Sequence, residues 1–420
     1  MTQKHDKTDV VADVVVVGGG PAGASAACRL ARAGIDVAVV EKKRYPREKT
    51  CGDGLTPRSV KALWDLGMRE EVSRYHQVRG LRAYCGDRML ELDWPDHPVF
   101  PRYGCVVTRA ELDNALADRA KKEGVVFFEE TEAIEPVLDD GVMRKVRCRT
   151  KQGEDFSLSS NFVVMADGSL SRFGRRLGNQ RQKRYPLGMA IRGYYKSARH
   201  NDDFIESHLS IRDAQGAALP GYGWVFPEGD GSINVGIGLL STFRHWKDVN
   251  TSHLMDAFSR VLPDYWGVDP DAGWSIRGGK LPMGMSVRPR VGPNWVVLGD
   301  AVGAVNPFNG EGIAYALETA ELASDLLVHA VRNDNGAVLQ RYPEVLDDVY
   351  GSYYRTARLF VRLIGEPRLM DVLARVGMRS QRLMEAVLRI MANLITPGLR
   401  DPEEKVYKLV EKVVAIGPEP

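Results

Sequence analysis

Three rhythms of apolar and polar residues divide this chain. In the first, apolar residues run without interruption. Val14, Val15, Val16 and Val17 form such a run, Phe162 to Met165 and Trp295 to Leu298 repeat it, and Ile35 to Val40 follows it with one interruption at Asp36. Runs of this kind predict strands buried on both faces, as in a parallel sheet. Two end in polar turns, Ala166-Asp167-Gly168 and Gly299-Asp300. The second rhythm is strict alternation. It dominates Tyr185 to Leu240, with a strand over Gly188 to Tyr195 and a hairpin from Gly223 to Leu239 turning at Glu228-Gly229-Asp230-Gly231. On that hairpin Tyr222, Trp224 and Phe226 point to one face. The third rhythm is helical. It covers Ala24 to Ala33, a helix opened by Thr56-Pro57, another with a capping box at Thr108-Arg109-Ala110-Glu111, Thr251 to Leu262, and Ile313 to about Val331. From Ala337 onward the chain reads as helical, with a final helix opened by Asp401-Pro402. Leu81 to Val99 reads as strands leaving the first unit, and Val125 to Phe128 with Val146 to Arg149 as a small antiparallel insert.

The first apolar run leads into Gly18-Gly19-Gly20-Pro21-Ala22-Gly23, at Gly-x-Gly-x-x-Gly spacing. Gly18 permits a tight turn, Gly20 lets the backbone approach a pyrophosphate, and Gly23 lets helix and strand pack closely. The helix that follows offers free N–H groups and a positive dipole end to phosphate. The next strand ends at Glu41, a carboxylate that suits a ribose hydroxyl pair and repels a 2′-phosphate. Strand, glycines, helix, strand and acid in this order predict an adenine dinucleotide site. No second such unit follows, so no separate nicotinamide domain is expected. Asp300, at a strand end before the glycine-rich start Gly310-Glu311-Gly312-Ile313, can hold a polyol chain. Two readings stand for Arg109, a phosphate contact or an ordinary exposed charge. Two stand for Arg172, Arg175 and Arg176, a solvated turn or a pyrophosphate lining.

Composition narrows the class. The chain has 420 residues, 44% hydrophobic and 27% charged, too long for one core and typical of soluble globular proteins. A net charge of +2 gives no case for nucleic acid. Five scattered cysteines without a C-x-x-C pair, and eight histidines without ligand spacing, predict neither disulfides nor a metal site, and fit a reducing cytoplasm. Met1 to Asp9 is polar and reads as a frayed tail rather than a signal peptide. No apolar run reaches the roughly 20 residues of a membrane span.

The residues now on the page resemble a known superfamily. Gly18 to Gly23 with Glu41, then Asp167-Gly168, then Gly299-Asp300 with Pro307 and Gly310 to Ile313 are similar to the three FAD motifs of the aromatic-hydroxylase-type flavoproteins. The resemblance implies FAD as cofactor, Glu41 on the adenosine ribose, Arg109 in contact with FAD, Asp300 on the ribityl chain, and Gly312 and Ile313 beside the flavin. Two further segments resemble the geranylgeranyl reductases: Pro46-Arg47-Glu48-Lys49-Thr50-Cys51-Gly52-Asp53-Gly54, and Tyr222-Gly223-Trp224-Val225-Phe226-Pro227, which matches that family's Y-x-W-x-F-P signature. Flavin halogenases carry W-x-W-x-I-P instead. The longer Cys-Gly-Asp-Gly-Leu-Thr-Pro-Arg stretch is most similar to the menaquinone reductases of actinobacteria. The implied fold is α/β: a Rossmann-like FAD-binding domain over 1–80, 105–180 and 290–332, an antiparallel-sheet substrate domain over 81–104 and 181–289, and a helical C-terminal region over 333–420.

What the resemblance implies chemically is saturation of an isoprene C=C bond. An isolated alkene has no carbonyl to stabilise a carbanion, so it needs hydride from reduced flavin at one carbon and a proton at the other. The protein must align the alkene and exclude water. Tyr222, Trp224 and Phe226 are then either an apolar wall for the isoprenoid or simply core. Cys51, near the flavin by resemblance together with Gly52 and Asp53, is either a small turn residue or a thiol that shapes the site or relays a proton. Competing classes are a flavin monooxygenase, which would consume NADPH and oxygen, a halogenase, and a flavin-carrying binding protein without turnover. The sequence names no electron donor.

A polyprenyl lipid such as menaquinone stays in the bilayer, so the enzyme is expected peripherally at the inner face of the cell membrane. On a single helical projection of Pro367 to Ile395, Arg368, Arg375, Arg379, Arg382 and Arg389 form one stripe, beside an apolar face of Leu369, Leu373, Val376, Leu383, Val387, Met391 and Leu394. That pattern suits either an anionic membrane surface or packing on the flavin domain, and Gly377 can divide the segment in two.

Overall fold

Four valines without a polar interruption need apolar cover on both sides of their sheet. A computed structural model, describing residues 10–212, 216–242 and 249–395, shows how they obtain it. The polar tail through Asp9 and the helix expected from Asp401 lie outside the described residues. Val10–Val17 pairs in parallel with Val37–Val40 on one side and with Asp155–Met165 on the other. Trp295–Val297 extends the parallel layer beyond Asp155–Met165. The helices Pro21–Arg32 and Ile313–Arg332 contact each other and contribute to the same core. Thus the expected return of the chain to its first unit, after nearly 130 residues elsewhere, is built into the order of strands.

One expectation needs correction. Val126–Phe128 is not part of an antiparallel insert; it is an edge strand of the main sheet, parallel to Val37–Val40. A short apolar run carries no direction of its own. The helix Arg109–Lys122 immediately before it makes a crossover, and a crossover returns the chain parallel. The antiparallel part is the hairpin Thr131–Asp139 with Val142–Thr150, which pairs with the first half of Asp155–Met165.

The second sheet has seven strands in the order Trp274–Pro282, Leu187–Lys196, Ser232–Leu240, Gly221–Pro227, Phe204–His208, Gly80–Cys85, Arg88–Asp93. Every pair is antiparallel except Phe204–His208 with Gly80–Cys85, which is parallel. One face carries Val225, Ile233, Val235 and Ile237 into a core closed by the helix Thr251–Arg260. The other face looks toward the first sheet. The C-terminal helices serve both layers. Tyr342–Leu363 buries Tyr342, Tyr350 and Tyr354 in the core of the first sheet, whereas Gln381–Met391 buries Met384 and Leu388 against Ala83, Leu92 and Trp94.

Candidate active site

The glycine turn has the geometry its spacing predicts. Gly18 takes φ +97°, and a Cβ there would lie 2.4 Å from the Ala166 carbonyl oxygen. A Cβ on Gly23 would lie 1.8 Å from the Gly18 carbonyl oxygen, so helix and strand close only over glycine. The helix starting at Pro21 has Gly20 as its N-cap and no side chain capping it. The helix starting at Ile313 likewise has Gly312 as N-cap and no side-chain cap. Both N-termini open into one cavity lined by Gly18, Gly20, Pro21, Ala22, Glu41, Arg109, Asp167, Asp300, Gly312 and Ile313. Two uncapped helix ends and a close-approach glycine turn fit a dinucleotide with negative phosphates.

Around this cradle the side chains are held in place. Glu41 accepts from the N–H of Gly19 and of Lys43, each at 3.0 Å. Arg47 lies 3.3 Å from Glu41 and 3.0 Å from Asp113. Arg109 is not the ordinary exposed charge of one reading: it is buried, lines the cavity, and forks onto Asp113 with two bonds of 2.8 Å. Gly299, at φ +57°, precedes Asp300, whose carboxylate lies 3.9 Å from Lys49; a Cβ on Gly312 would meet Asp300 Oδ1 at 3.2 Å. Asp167 behaves differently. Its carboxylate accepts from the Ser171 hydroxyl at 2.8 Å and the Phe173 N–H at 3.1 Å, so it organises its own turn. Arg172 lines the cavity, whereas Arg175 caps the Leu170 carbonyl at the surface.

The cavity measures about 1510 Å³, above the roughly 300–1,000 Å³ of a drug-sized site. It continues from the glycine cradle past Cys51 to an apolar half lined by Leu81, Leu92, Ile205, Phe360 and Leu388. Tyr222, Trp224 and Phe226 form one wall, with ring centroids 5.9 and 6.3 Å apart along the row. Gly223 and Val225 face the opposite core, where a Cβ on Gly223 would lie 2.2 Å from Phe258. Gly236 stands directly across from Trp224, and a Cβ on it would sit 2.1 Å from the indole. The Gly52 and Gly54 turn passes under the same rings, with Phe226 2.8 Å from where a Gly54 Cβ would be. Tyr222 donates to the Asn309 carbonyl at 2.6 Å, tying the wall to the loop before Gly312. Burial pushes its hydroxyl up to about 12.

Behind the wall lies a polar network that sequence patterning did not single out. Trp224 Nε1 donates to Asn234 Oδ1 at 2.9 Å. Asn234 Nδ2 in turn donates to the Cys51 carbonyl at 3.0 Å and to Asp53 Oδ2 at 2.7 Å, which also accepts from Tyr194 at 2.6 Å. Asp53 is fully buried at φ +64°. Its N–H reaches Cys51 Sγ at 3.3 Å. Burial, aided by the Asp53 charge, lifts the Cys51 thiol to about 11, so it keeps its proton at neutral pH. Asn234 did leave a signal: it is a lone amide in the otherwise apolar strand Ser232–Leu240. Arg47 and Lys49 were visible only as part of a basic turn.

At its apolar end the cavity is lined by residues of the C-terminal helices, several of them exposed. The single projection over Pro367 to Ile395 is corrected here: the segment is two helices, Pro367–Gly377 and Gln381–Met391, so the five arginines share no continuous stripe. Leu369, Leu373, Val376 and Leu383 are exposed, together with Val372 and Leu363, at 38–55%. Leu363, Leu373, Val376 and Leu383 also line the cavity. Leu394 is buried in the core instead, and Val387 and Met391 are half-buried. Arg368, Arg375, Arg379 and Arg382 are exposed around this rim. No described helix is long and apolar enough to cross a membrane.

Comparison with known proteins agrees with this geometry. The profile of the FAD binding domain family matches residues 11–211. The menaquinone reductase of Mycobacterium tuberculosis is 39% identical over 400 residues, 95% of each chain. Digeranylgeranylglycerophospholipid reductase 2 of Methanosphaera stadtmanae is 29% identical over 355 residues, covering 82% of this chain and 85% of that one. The crystal structure of a geranylgeranyl bacteriochlorophyll reductase-like protein from Thermoplasma acidophilum superposes with a TM-score of 0.80 at 22% identity, covering 96% of this chain and all of that one. Fold and cradle are those of an FAD-dependent oxidoreductase. Within that class the chain belongs to the geranylgeranyl reductase family, on the side of the menaquinone reductases.

Proposed function

We propose that this enzyme saturates a C=C bond in the isoprenoid chain of a membrane lipid, most directly one isoprene unit of the menaquinone side chain. The observation that carries the reading is the cavity itself. Its polar end suits a dinucleotide, and its apolar end runs past an aromatic wall to a rim of exposed Leu and Val. A long apolar chain can enter such a channel from a bilayer while its head stays outside. The names of the relatives from Mycobacterium and Methanosphaera support an isoprenoid substrate.

In this reading Gly18, Gly20, Pro21 and Ala22 hold the pyrophosphate, Gly23 lets helix and strand close behind them, and the two uncapped helix ends supply N–H groups and dipole. Glu41 takes the adenosine ribose, Asp300 the ribityl chain, and Gly312 with Ile313 the flavin edge. Arg109, fixed by Asp113, and the basic pair Arg47 and Lys49 balance the phosphate charge. When bound and reduced, the flavin supplies a hydride. Tyr222, Trp224 and Phe226 press the alkene into line and keep water out. Cys51 gives the proton to the second carbon in this reading, supported by its position in the cavity lining and by a thiol that keeps its proton at neutral pH.

The reading is tested by mass spectrometry of quinones and other polyprenyl lipids from cells with and without the gene. One lipid class should lose two hydrogens when the gene is removed and regain them on complementation. Identical lipid profiles in both cells reject it. A change confined to a lipid other than menaquinone would reassign the substrate within the family.

A further inference from the structure

Two carboxyl groups meet behind Cys51 with more negative charge than their surroundings can balance. Asp53 Oδ2 is bonded to Tyr194 and Asn234, but Asp53 Oδ1 and both oxygens of Glu228 are buried without any hydrogen-bond partner. Asp53 is fully buried and Glu228 is 7% exposed; Glu228 directly follows the strand Gly221–Pro227 and donates its N–H to the Ser232 carbonyl at 3.1 Å, two residues before the Asn234 that holds Asp53. The cations that face them are few. Arg192, 1% exposed, places one positive charge near both carboxyls, shared with Glu48 at 3.8 Å, while its guanidinium donates to the carbonyls of Ser275 and Lys49. Arg109 is bound to Asp113. Asp230 adds a further negative charge beside Glu228, and Cys51 and Tyr194 are neutral neighbours of Asp53. Two neighbouring ionised carboxylates, with acceptor oxygens only, are strongly disfavoured in such a place. One proton between them turns the clash into a hydrogen bond, as in other carboxyl pairs that titrate as a unit.

We infer that Asp53 and Glu228 share one proton at neutral pH and act as the store that resupplies Cys51 during alkene reduction. The inference rests on the reductase reading above. The balance is simple. Hydride from the reduced cofactor goes to one alkene carbon, the Cys51 proton goes to the other, and the C=C bond becomes a single bond. The thiolate left behind takes the proton of the acid pair, and solvent restores that proton. The direction of transfer is downhill. Burial lifts Asp53 to about 6 and, with Asp53 and Asp230 beside it, lifts Glu228 well above the usual carboxylate range, whereas the thiol stands at about 11. The arrangement also gives the indole of the signature strand a second task. Through Asn234, Trp224 fixes both Asp53 and the Cys51 carbonyl.

Two measurements test this. The first needs no substrate. Infrared titration of the flavin-loaded protein should show a protonated-carboxyl stretch at neutral pH that disappears at higher pH, and that is absent from Glu228→Gln. No such band in the unmodified protein overturns the inference, and so does a band that Glu228→Gln and Asp53→Asn both retain. The second is anaerobic reduction of menaquinone in detergent over many turnovers, with dithionite re-reducing the flavin so that each cycle after the first depends on reprotonated Cys51. The rate should fall about tenfold per pH unit once the store is empty. Glu228→Gln should slow it about a hundredfold at neutral pH, flatten the pH profile and leave flavin content unchanged, with Glu228→Asp recovering part of the rate. Equal rates and pH profiles in Glu228→Gln and the unmodified protein overturn the inference while leaving the reductase reading intact. If no polyprenyl lipid reoxidises the flavin, the reductase reading falls, and the infrared band alone decides whether the pair holds a proton.

Discussion

At the scale of single residues, the site is shaped as much by missing side chains as by present ones. Gly236 leaves the slot that Trp224 fills, 2.1 Å from where a Cβ would stand. Gly236→Ala should therefore push the indole aside and break its bond to Asn234. We expect about 1–3 kcal/mol of lost stability, as for other overpacked cores, with flavin retained and turnover of long-chain lipid impaired. Thermal melts, absorbance spectra and lipid kinetics check the three parts, and unchanged lipid kinetics would reduce Trp224 to core. Asp300 makes the opposite case, a present group whose partner is a ligand. Its carboxylate faces the cavity, 3.9 Å from Lys49. Asp300→Ala should weaken FAD binding by about 1.5–3 kcal/mol, roughly ten- to a hundredfold, read by flavin-release titration. Unaltered affinity would reject the ribityl assignment. The glycines and Asp300 were legible because each stands at a strand end with a fixed spacing. Asp53 was marked through the resemblance and Glu228 as a hairpin turn, but their conjunction was not legible, since it joins a turn near the start of the chain to a hairpin about 175 residues later.

At the scale of elements, apolar runs and strict alternation placed the parallel strands of the first sheet and the Leu187–Lys196, Gly221–Pro227 and Ser232–Leu240 strands of the second, but Thr131–Asp139, Phe204–His208 and Trp274–Pro282 were not read as strands. Direction was not legible where runs were short. Val126–Phe128 and the parallel pair of Gly80–Cys85 with Phe204–His208 are set by the crossovers between them, not by their own residues. The C-terminal segment shows a further limit. A 100° projection assumes one unbroken helix, and Met378 to Ser380 interrupts it. Exposure then separates what the projection merged: Pro367–Gly377 turns Leu369, Val372, Leu373 and Val376 outward, and Gln381–Met391 turns Met384 and Leu388 inward. The outward residues beside four exposed arginines suit an anionic interface, each Arg adding about 1 kcal/mol near the surface. Sedimentation with anionic vesicles should recover the protein at low salt and release it at high salt. Leu373→Ser with Val376→Ser should weaken binding and raise KM for lipid without altering flavin content. A protein that ignores such vesicles at low salt would assign these helices to substrate gating alone.

At the scale of the whole molecule, two sheets with separate cores face each other across one large cavity, and the C-terminal helices clamp both layers at its apolar end. This arrangement lets a cofactor cradle and an apolar channel share a wall, with Cys51 and the aromatic row between them. The account stands on one claim, that an isoprenoid alkene is reduced in that cavity. The most direct measurement is anaerobic mixing of the reduced, yellow-to-colourless flavoprotein with menaquinone, following flavin absorbance and quinone mass together. The account predicts that one equivalent of flavin is reoxidised for each quinone that gains two hydrogens in its side chain. Flavin that stays reduced until oxygen is admitted, with the side chain unaltered, would contradict it.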